Sequence, residues 1–489
     1  MSTPITERGF FWWHDDPSEV SNSKQTSVPG ILTISELGEI RLKVYGRLTT
    51  SRNNEWVQPS RFPVYSKIQG QLTEQLSHVL LEGIERLDYS SADESPQEQE
   101  FSVDWCLRRS FDFPETFTPA DFSSVEICAD ELAQWFGKRS LQPKRNYNNE
   151  SVEIQDIVTY DRWKVEYPVS AASVLTIESR TYSPITIFPD HKWDRIEFSQ
   201  HFYLSIKTEQ TADRSLFLTF HNVLEEFLSL LLGRYHHLGW PELVSSTGDL
   251  HTLYFKRSHP PTDNFDAWLA LCSFPKLEQD FGSLFHKWLE VKNTLVPAIQ
   301  IYIATLRHPF AYAEDRFTVL AIGIECLHRR WLAEPENSDS IRMVKAKVQR
   351  ILDGFSGSPE DKLWLTEKLA YAHEPSLRKR IKECLKQLPL PIAKKSLVEF
   401  AGACTNRRND LTHEGMERHT SETAGSLSTG DLGSALAHFF HFLILHLIGM
   451  KSDILFEAAT NSFYSRQIIE PALSAVRIRI DTENQGPES

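Results

Sequence analysis

Two residues near the end of the chain, Arg408 and His413, are of the types that can cleave RNA without a metal ion. They lie five positions apart in the stretch Asn406–Gly415, and the polar Asn409 directly follows the arginine. A neutral imidazole can take the proton from a ribose 2′-hydroxyl, which as general-base catalysis contributes roughly 10²–10⁴-fold. A guanidinium beside it can bind the scissile phosphate bidentately and offset the charge that develops. Internal attack by the 2′-oxygen leaves a 2′,3′-cyclic phosphate, and DNA is excluded because it lacks that hydroxyl.

The spacing alone is weakly specific, because the same loose pattern occurs at Arg195–His201 and at Arg214–His221. What distinguishes Arg408 is its setting on a helix predicted over residues 392–412. There it falls within an apolar stripe, where another apolar side chain would be expected. The stripe consists of Leu397, Phe400, Ala401, Cys404 and Leu411.

A charge within an apolar stripe must be paired or must line a cavity, because burying it alone is costly. Arg408 is therefore either a substrate contact or a structural arginine neutralised by a carboxylate such as Glu325. His413 lies about 140° further around an ideal helix. Both side chains meet one substrate only if the helix ends there, which Gly415 permits, or if two copies face each other across a cleft.

The charge of the chain is unevenly distributed. The formal net charge is −14, yet roughly 15 Lys and Arg stand against 7 Asp and Glu between Ile341 and Asn409. Three of these cations, Lys379, Arg380 and Lys382, lie on one predicted helix. A local positive surface on an acidic protein favours a polyanion guided to one place. A solvated helix face is the alternative explanation of the same pattern.

The first two hundred or so residues alternate with the period of β-strands. A hairpin is predicted around Glu36–Glu39, between the strands Ile31–Ser35 and Ile40–Tyr45. The other predicted elements here are strands at 102–106, 151–158, 163–167, 173–180 and 195–207 and a helix at 128–137. From residue 213 onwards the apolar period is that of helices. The sequence thus predicts an α+β multidomain protein, with an antiparallel barrel or sandwich first and an all-α region last.

Four regions are predicted at this length. They are a β-rich domain at 1–212, a helical connector at 213–309 with a strand-like insertion at 250–256, a helical bundle at 310–460, and a partly disordered extension at 461–489. The most apolar run, Ala435–Met450, is interrupted by three histidines and predicts a buried core helix rather than a membrane span.

Several other classes of function lack support. The first residues show no secretory signal pattern, and the six cysteines form no CxxC pair, so we expect reduced thiols in a cytoplasmic protein. His236 and His237, with Glu225 and Glu226 nearby, match no known metal-site spacing. The chain has no Walker loop, HExxH or GxSxG motif. We therefore expect neither a metal nor a cofactor.

The stretch from Arg408 to His413 resembles the Arg-polar-x3-His motif of HEPN ribonucleases. As in that family, it lies late in a helical bundle, between an opening helix that contains Glu325 and a long apolar closing helix. The first half resembles the β-rich domain of ApeA-type bacterial anti-phage proteins. The similar segments there are 9–12, 30–34, 38–46 and 125–135, in that order.

This resemblance implies a C-terminal HEPN bundle and a dimeric or higher-order ribonuclease whose site joins two motifs across a cleft. It implies abortive-infection defence, in which the N-terminal half senses a phage-derived trigger, and transfer RNA is one candidate substrate. Arg408 and His413 take the catalytic roles and Asn409 the polar position. Arg407 is then expected to contact phosphate and Glu325 to orient the site. The alternative is a non-catalytic HEPN-type module that dimerises or binds RNA or a protein partner.

Overall fold

The structure is a computed structural model. It describes residues 4–14, 27–46, 48, 67–74, 76–87, 98–109, 122–138, 141–148, 151–158, 163–182, 199–259, 265–308, 312–333, 335, 338–413 and 427–481. The chain divides into two compact units. The first unit comprises Met1–Leu228 and His236–Ala267, and the second comprises Ser229–Tyr235 and Trp268–Ser489.

The first unit is built mainly from strands, followed by the first part of a long helix. The strands are β1 (Ile5–Trp13), β2 (Val28–Ile34), β3 (Ile40–Val44), β4 (Lys67–Leu72), β5 (His78–Arg86), β6 (Gln99–Arg109), β7 (Phe122–Cys128), β8 (Leu141–Asn148), β9 (Ser151–Val158), β10 (Lys164–Ser170), β11 (Ser173–Tyr182), β12 (Ser199–Ala212), β13 (Glu242–Ser245) and β14 (Leu250–Phe255). Twelve of these form one antiparallel sheet in the order β10-β11-β12-β7-β13-β14-β6-β3-β2-β1-β4-β5. The other two, β8 and β9, pair only with each other in the described part of the chain.

Half of the large sheet closes on itself. Because β5 pairs with β6 as well as with β4, the strands β6-β3-β2-β1-β4-β5 form a closed antiparallel ring. Alternate residues point into it, as the two-residue period of a strand requires. Its core includes Phe11, Trp13, Leu32, Leu42, Ile68, Leu81 and Val103. The prediction of an antiparallel β-rich N-terminal domain is confirmed.

The predicted hairpin is present as β2 and β3, joined in register from Ile34 opposite Ile40. Gly38 in its turn has φ +72°, and a Cβ atom there would lie 1.9 Å from the carbonyl oxygen of Phe255. Only glycine fits this combination of backbone angle and close approach.

The prediction of a separate helical connector at 213–309 is wrong, because these residues are divided between the two units. Its strand-like insertion is β14, which pairs with β6, while β13 pairs with β7. These two short strands therefore join the two halves of the sheet. A four-residue strand such as β13 shows too few alternations to be recognised by period alone.

The predicted helix at 128–137 is shorter than expected. Cys128 ends β7, a 3₁₀ turn covers Asp130–Leu132, and the α-helix α1 spans Ala133–Phe136. The N–H of Ala129 donates to the carbonyl of Phe202 over 2.8 Å, so pairing with β12 continues beyond Cys128. The extended backbone at Cys128 is thus stabilised by the sheet.

The remaining helices are α2 (Arg214–Leu232), α3 (Phe274–Leu277), α4 (Phe281–Thr294), α5 (Val296–Arg307), α6 (Ala313–Trp331), α7 (Asp339–Asp353), α8 (Pro359–Leu369), α9 (Leu377–Leu385), α10 (Lys394–His413), α11 (Thr429–Leu447), α12 (Ser452–Thr460) and α13 (Glu470–Ala475). In the described residues α2 alone is long and apolar enough to cross a membrane, but 67% of its apolar window is buried inside the protein. Burial of this extent is typical of a core helix.

The second unit is an all-helical bundle around α11, as predicted. Helix α6 packs between α5 and α11. A Cβ atom on Gly323 of α6 would lie 2.6 Å from the Phe440 ring of α11, so the glycine permits this close packing. Helices α4 and α5, which the sequence assigned to the connector, belong to this unit. Their buried Trp288 and Tyr302 explain why, because each needs a large apolar contact surface.

The end of the chain is more ordered than predicted. Helix α11 ends before Gly449, whose φ of +89° is favoured by glycine at a helix terminus. After α12, a π-helical stretch at Ser465–Ile469 and α13 follow. Leu473 and Ile478 are buried, and Ile480 forms a bridge with Ile392. The predicted disorder concerns residues 481–489, of which 482–489 lie outside the described residues.

Candidate active site

Helix α10 contains both predicted catalytic residues and begins with the predicted apolar stripe. Leu397, Phe400, Ala401 and Cys404 are all buried. Arg408 follows Cys404 by one turn and is partly buried. Arg408 therefore lies where the buried stripe reaches the protein surface.

The guanidinium of Arg408 makes no hydrogen bond or ion pair with any residue that the structure describes. Glu325 lies on α6, which packs against α10. It is also partly buried, yet the two side chains form no ion pair within 4 Å. The interpretation of Arg408 as a structural arginine neutralised by Glu325 therefore finds no support. A partly buried guanidinium that no described residue pairs with is available to an anionic ligand.

His413 is the last residue of α10, and its side chain lies outside the described residues, as does Gly415. The backbone of α10 is helical without interruption from Lys394 to His413. The Thr412 hydroxyl donates to the carbonyl of Arg408 over 2.8 Å, which satisfies a carbonyl in the last turn. A regular helix over this stretch separates positions 408 and 413 by about 140° and about 7.5 Å along the axis.

Two other polar residues of the motif differ in their environment. Asn409 is exposed. Arg407 is partly buried and donates from Nη2 to the carbonyl of Leu427 over 3.0 Å. Leu427 precedes Ser428, which caps α11 by accepting a hydrogen bond from the N–H of Asp431. Arg407 thus connects the end of α10 to the start of α11 and is not a free phosphate contact in this conformation.

The predicted basic helix is α9, and its cations are not equivalent. Lys379 is exposed and lies 3.7 Å from Glu383 one turn away. Lys382 is partly buried and forms no ion pair with the described residues. Both can reach a polyanion at the surface of the helical unit.

Arg380 was predicted to bind RNA, and the structure contradicts this. Its side chain is only 4% exposed and pairs with Glu374 at 2.8 Å. It also donates to the carbonyl of Pro375. Arg380 is buried because the helical period places position 380 on the same face as the buried Leu377, Ile381 and Cys384.

Sequence reasoning missed the partner of Arg380 on α6. His328 is 2% exposed. Its Nε2 lies 2.8 Å from Glu383, and its Nδ1 lies 3.4 Å from the Arg380 guanidinium. The ring therefore donates from Nε2 and accepts at Nδ1. The available signal was a histidine within the apolar stripe of α6, and the contacts indicate a structural role.

His236 and His237 do not form a shared ligand set. His236 is fully buried and contacts Glu131 at 3.3 Å, whereas His237 contacts Glu225 at 3.4 Å. Glu225 also accepts the N–H of Leu238 over 3.0 Å. These contacts stabilise the turn after α2.

Comparison with known families decides the classification. Residues 7–288 match the family model described as ApeA N-terminal domain 1, and residues 319–454 match Apea-like HEPN. The first match alone covers more than half of the chain. The chain belongs to the ApeA family. It is an ApeA-type protein with a C-terminal HEPN domain, as the resemblance implied.

The HEPN match includes Glu325, Arg408 and His413. ApeA and HEPN domains together are those of an anti-phage HEPN-containing protein, and HEPN domains are typically ribonucleases. No curated protein and no solved structure matches the chain. The roles of the individual ApeA-type residues therefore have to be argued from the geometry above.

Proposed function

We propose that this ApeA-type protein is a metal-independent endoribonuclease of bacterial abortive-infection defence. His413 takes the proton from a ribose 2′-hydroxyl, and the 2′-oxygen attacks the adjacent phosphorus. The bond to the 5′-oxygen breaks, the leaving 5′-oxygen takes up a proton from water or from the imidazolium, and a 2′,3′-cyclic phosphate remains. Arg408 binds the phosphate oxygens and stabilises the charge that develops on them.

The observation that supports this proposal best is the environment of Arg408. It lies at the end of a buried stripe in a domain of a family that typically consists of ribonucleases, and none of the described residues neutralises it. Keeping a cation partly buried and unpaired lowers stability. A phosphate that binds there would offset that cost by charge-assisted hydrogen bonds.

The continuity of α10 supports a site composed of two HEPN domains. On one helix Arg408 and His413 project in directions about 140° apart, so a single copy cannot easily direct both at one phosphate. A two-fold axis beside α10 brings the arginine of one copy towards the histidine of the other. We therefore propose a homodimer or higher homo-oligomer in which each cleft contains two motifs.

Lys379 and Lys382 support the approach of RNA to this surface. They lie within the basic part of an otherwise acidic chain, so a polyanion is attracted to this surface and repelled elsewhere. The N-terminal domain is proposed to control cleavage in response to a phage-derived trigger, in the bacterial cytoplasm. Transfer RNA is the first substrate to test.

Expression in phage-challenged cells, followed by sequencing of RNA ends, tests the proposal. Wild-type protein is expected to produce new ends with 2′,3′-cyclic phosphates, whereas Arg408→Ala and His413→Ala produce none. The matched control is Lys395→Ala, which removes an 87% exposed cation from the same helix. Cleavage that persists in both variants would exclude the proposed mechanism. Folded, dimeric wild-type protein that yields no new ends after challenge would instead favour the non-catalytic module.

A further inference from the structure

A second group of reactive side chains lies in the first unit, where the end of β7 meets β12. The thiol of Cys128, the carboxylate of Asp130 and the imidazole of His201 each offer an atom within 4.8 Å of the other two. The sheet register explains this grouping. Cys128 lies opposite Tyr203 at the end of β7, His201 lies two residues along β12 on the same face, and Asp130 begins the 3₁₀ turn that follows β7.

Hydrogen bonds fix the orientation of two of these three side chains. Asp130 accepts the N–H of Phe202 at Oδ1 over 2.8 Å, which directs Oδ2 towards Nδ1 of His201 at 2.6 Å. On the other side of the ring, Nε2 lies 3.0 Å from the hydroxyl of Ser199. The carboxylate and the imidazole are therefore held in place before any ligand binds.

We propose that Cys128, Asp130 and His201 form a zinc-type divalent cation site. The cation binds Sγ of Cys128, Oδ2 of Asp130 and Nδ1 of His201, and it replaces the hydrogen bond between the last two atoms. A mixed set of sulfur, nitrogen and oxygen donors is the set that Zn²⁺ accepts. With the cation bound, the Nε2–H of His201 donates to Ser199, which is the outer-shell support that metal-binding histidines usually have.

The charges and protons of this site balance. Binding releases the thiol proton of Cys128, while the imidazole becomes the neutral tautomer protonated at Nε2. The resulting thiolate and the carboxylate together neutralise the two positive charges of the cation. Because binding releases this thiol proton, cation affinity is expected to increase with pH.

The three side chains are accessible to solvent, and they provide three of the four ligands of a tetrahedral site. The side chains of His201 and Asp130 are 35% and 41% exposed, and Cys128 is also exposed. Three protein ligands leave a fourth tetrahedral position to water or to a donor atom from a partner. Only small movements are needed, because zinc–ligand distances of about 2.0–2.3 Å place ligand atoms roughly 3–4 Å apart.

This proposal is independent of the ribonuclease mechanism, but it changes how a chelator experiment is interpreted. If EDTA reduces RNA cleavage, the cation removed could come from the first unit rather than from the cleavage site. Chelator effects should therefore be compared between wild-type protein and Cys128→Ser. An effect that disappears in the variant is attributed to the first unit.

Titration of chelator-treated full-length protein with Co²⁺ tests the site, because a cobalt–thiolate bond produces charge-transfer absorption in the near ultraviolet. We expect the band to saturate at one equivalent and to disappear when Zn²⁺ is added. Cys128→Ser should abolish the band, and Asp130→Asn or His201→Gln, each of which removes a ligand, should weaken Co²⁺ binding by more than the roughly 10–100-fold that loss of an outer-shell partner costs. Cys326→Ser, at a partly buried thiol in the second unit, is the matched control and should retain the band.

Two outcomes would overturn the proposal: absence of the band in wild-type protein, or its persistence in Cys128→Ser. Circular dichroism and thermal melting of each metal-free variant establish whether it has folded. Because Cys128 is exposed, its serine variant is expected to melt at the wild-type temperature. A band lost equally in Cys326→Ser would indicate binding elsewhere and would also contradict the assignment.

Discussion

The guanidinium of Arg407 donates a hydrogen bond to the carbonyl oxygen of Leu427, 20 residues further along the chain. This bond connects the last part of α10 to the residue that precedes the N-cap of α11. The next residue, Arg408, has no such partner among the described residues. Arg407 and the motif residue Arg408 therefore have different environments, and their substitution should have different consequences.

Arg407→Ala is expected to lower stability, and Arg408→Ala is expected to lower activity. Loss of a charged group's hydrogen bond to a partly buried carbonyl costs roughly 1–2 kcal/mol. We expect Arg407→Ala to lower the melting temperature while retaining measurable cleavage. Arg408→Ala should melt at or above the wild-type temperature, with cleavage reduced at least 100-fold. Equal effects of the two variants on both properties would contradict this assignment.

Mixing inactive copies tests whether a site is formed by two chains. If one copy supplies the arginine and the other the histidine, co-expressed Arg408→Ala and His413→Ala chains should recover part of the wild-type cleavage. As the control, wild-type chains mixed with the double variant place both residues on one chain. Recovery only in the control would show that each motif acts within its own chain.

The cations of α9 should separate into surface and structural residues. Lys379→Ala and Lys382→Ala are expected to weaken RNA binding and to reduce the dependence of affinity on salt by roughly 0.7 per lost phosphate contact. Arg380→Ala should instead destabilise the helical unit by roughly 1–3 kcal/mol, because the Pro375 carbonyl and His328 lose a buried donor, whereas Glu374 keeps its ion pair with Arg329. Fluorescence anisotropy across a salt series and denaturant unfolding measure the two effects. A stable Arg380→Ala protein with weakened RNA binding would reverse the assignment.

Acid should destabilise the helical unit through His441. Its Nε2 donates to the carbonyl of Leu230 over 2.8 Å, so Nδ1 accepts the hydroxyl of Tyr302 at 2.6 Å. Burial lowers the pKa of His441 to about 4 from its ordinary 6.5. Between these two values the unfolded chain binds more protons than the folded chain. The stabilisation is therefore complete above about pH 6.5 and is lost as the pH falls towards 4.

Melting temperatures between pH 7.5 and pH 4.5 measure this effect, which is on the order of 2–3 kcal/mol. His441→Gln keeps an acceptor and a donor but cannot titrate, so its melting temperature should fall less steeply with acid. His438, whose pKa burial lowers to about 3, contributes a separate part of the slope. An unchanged slope in His441→Gln would exclude His441 as a source of acid sensitivity.

The periodic spacing of apolar residues predicted the long helices well and the short strands poorly. The apolar stripe of α10 and the core helix α11 follow from a 3.6-residue period over about twenty residues. By contrast, β13 and β14 are short, and their pairing with β7 and β6 joins positions more than one hundred residues apart. Long-range pairing of this kind depends on tertiary context, which local patterns do not contain.

The candidate functional residues also divide into those with a local sequence signal and those without one. Arg408 could be singled out because a cation interrupts an apolar stripe, and that signal lies within a few turns. The same rule would have identified Arg380 and His328 as buried, but basic composition alone suggested that Arg380 was exposed. The group of Cys128, Asp130 and His201 has no local signal, since the sheet register brings together residues about seventy positions apart.

The position of β13 and β14 between β7 and β6 has a consequence for the order in which the protein is synthesised. These strands follow α2 in the chain, so one edge of β7, and the part of β6 beyond its pairing with β3, remain unpaired until residue 255 has left the ribosome. Unpaired edges are sites where chains aggregate. A fragment ending at residue 212 would retain those open edges permanently, whereas one extending to residue 267 could complete the sheet. Nascent chains of this protein therefore pass through an interval in which a chaperone that covers strand edges would be most useful.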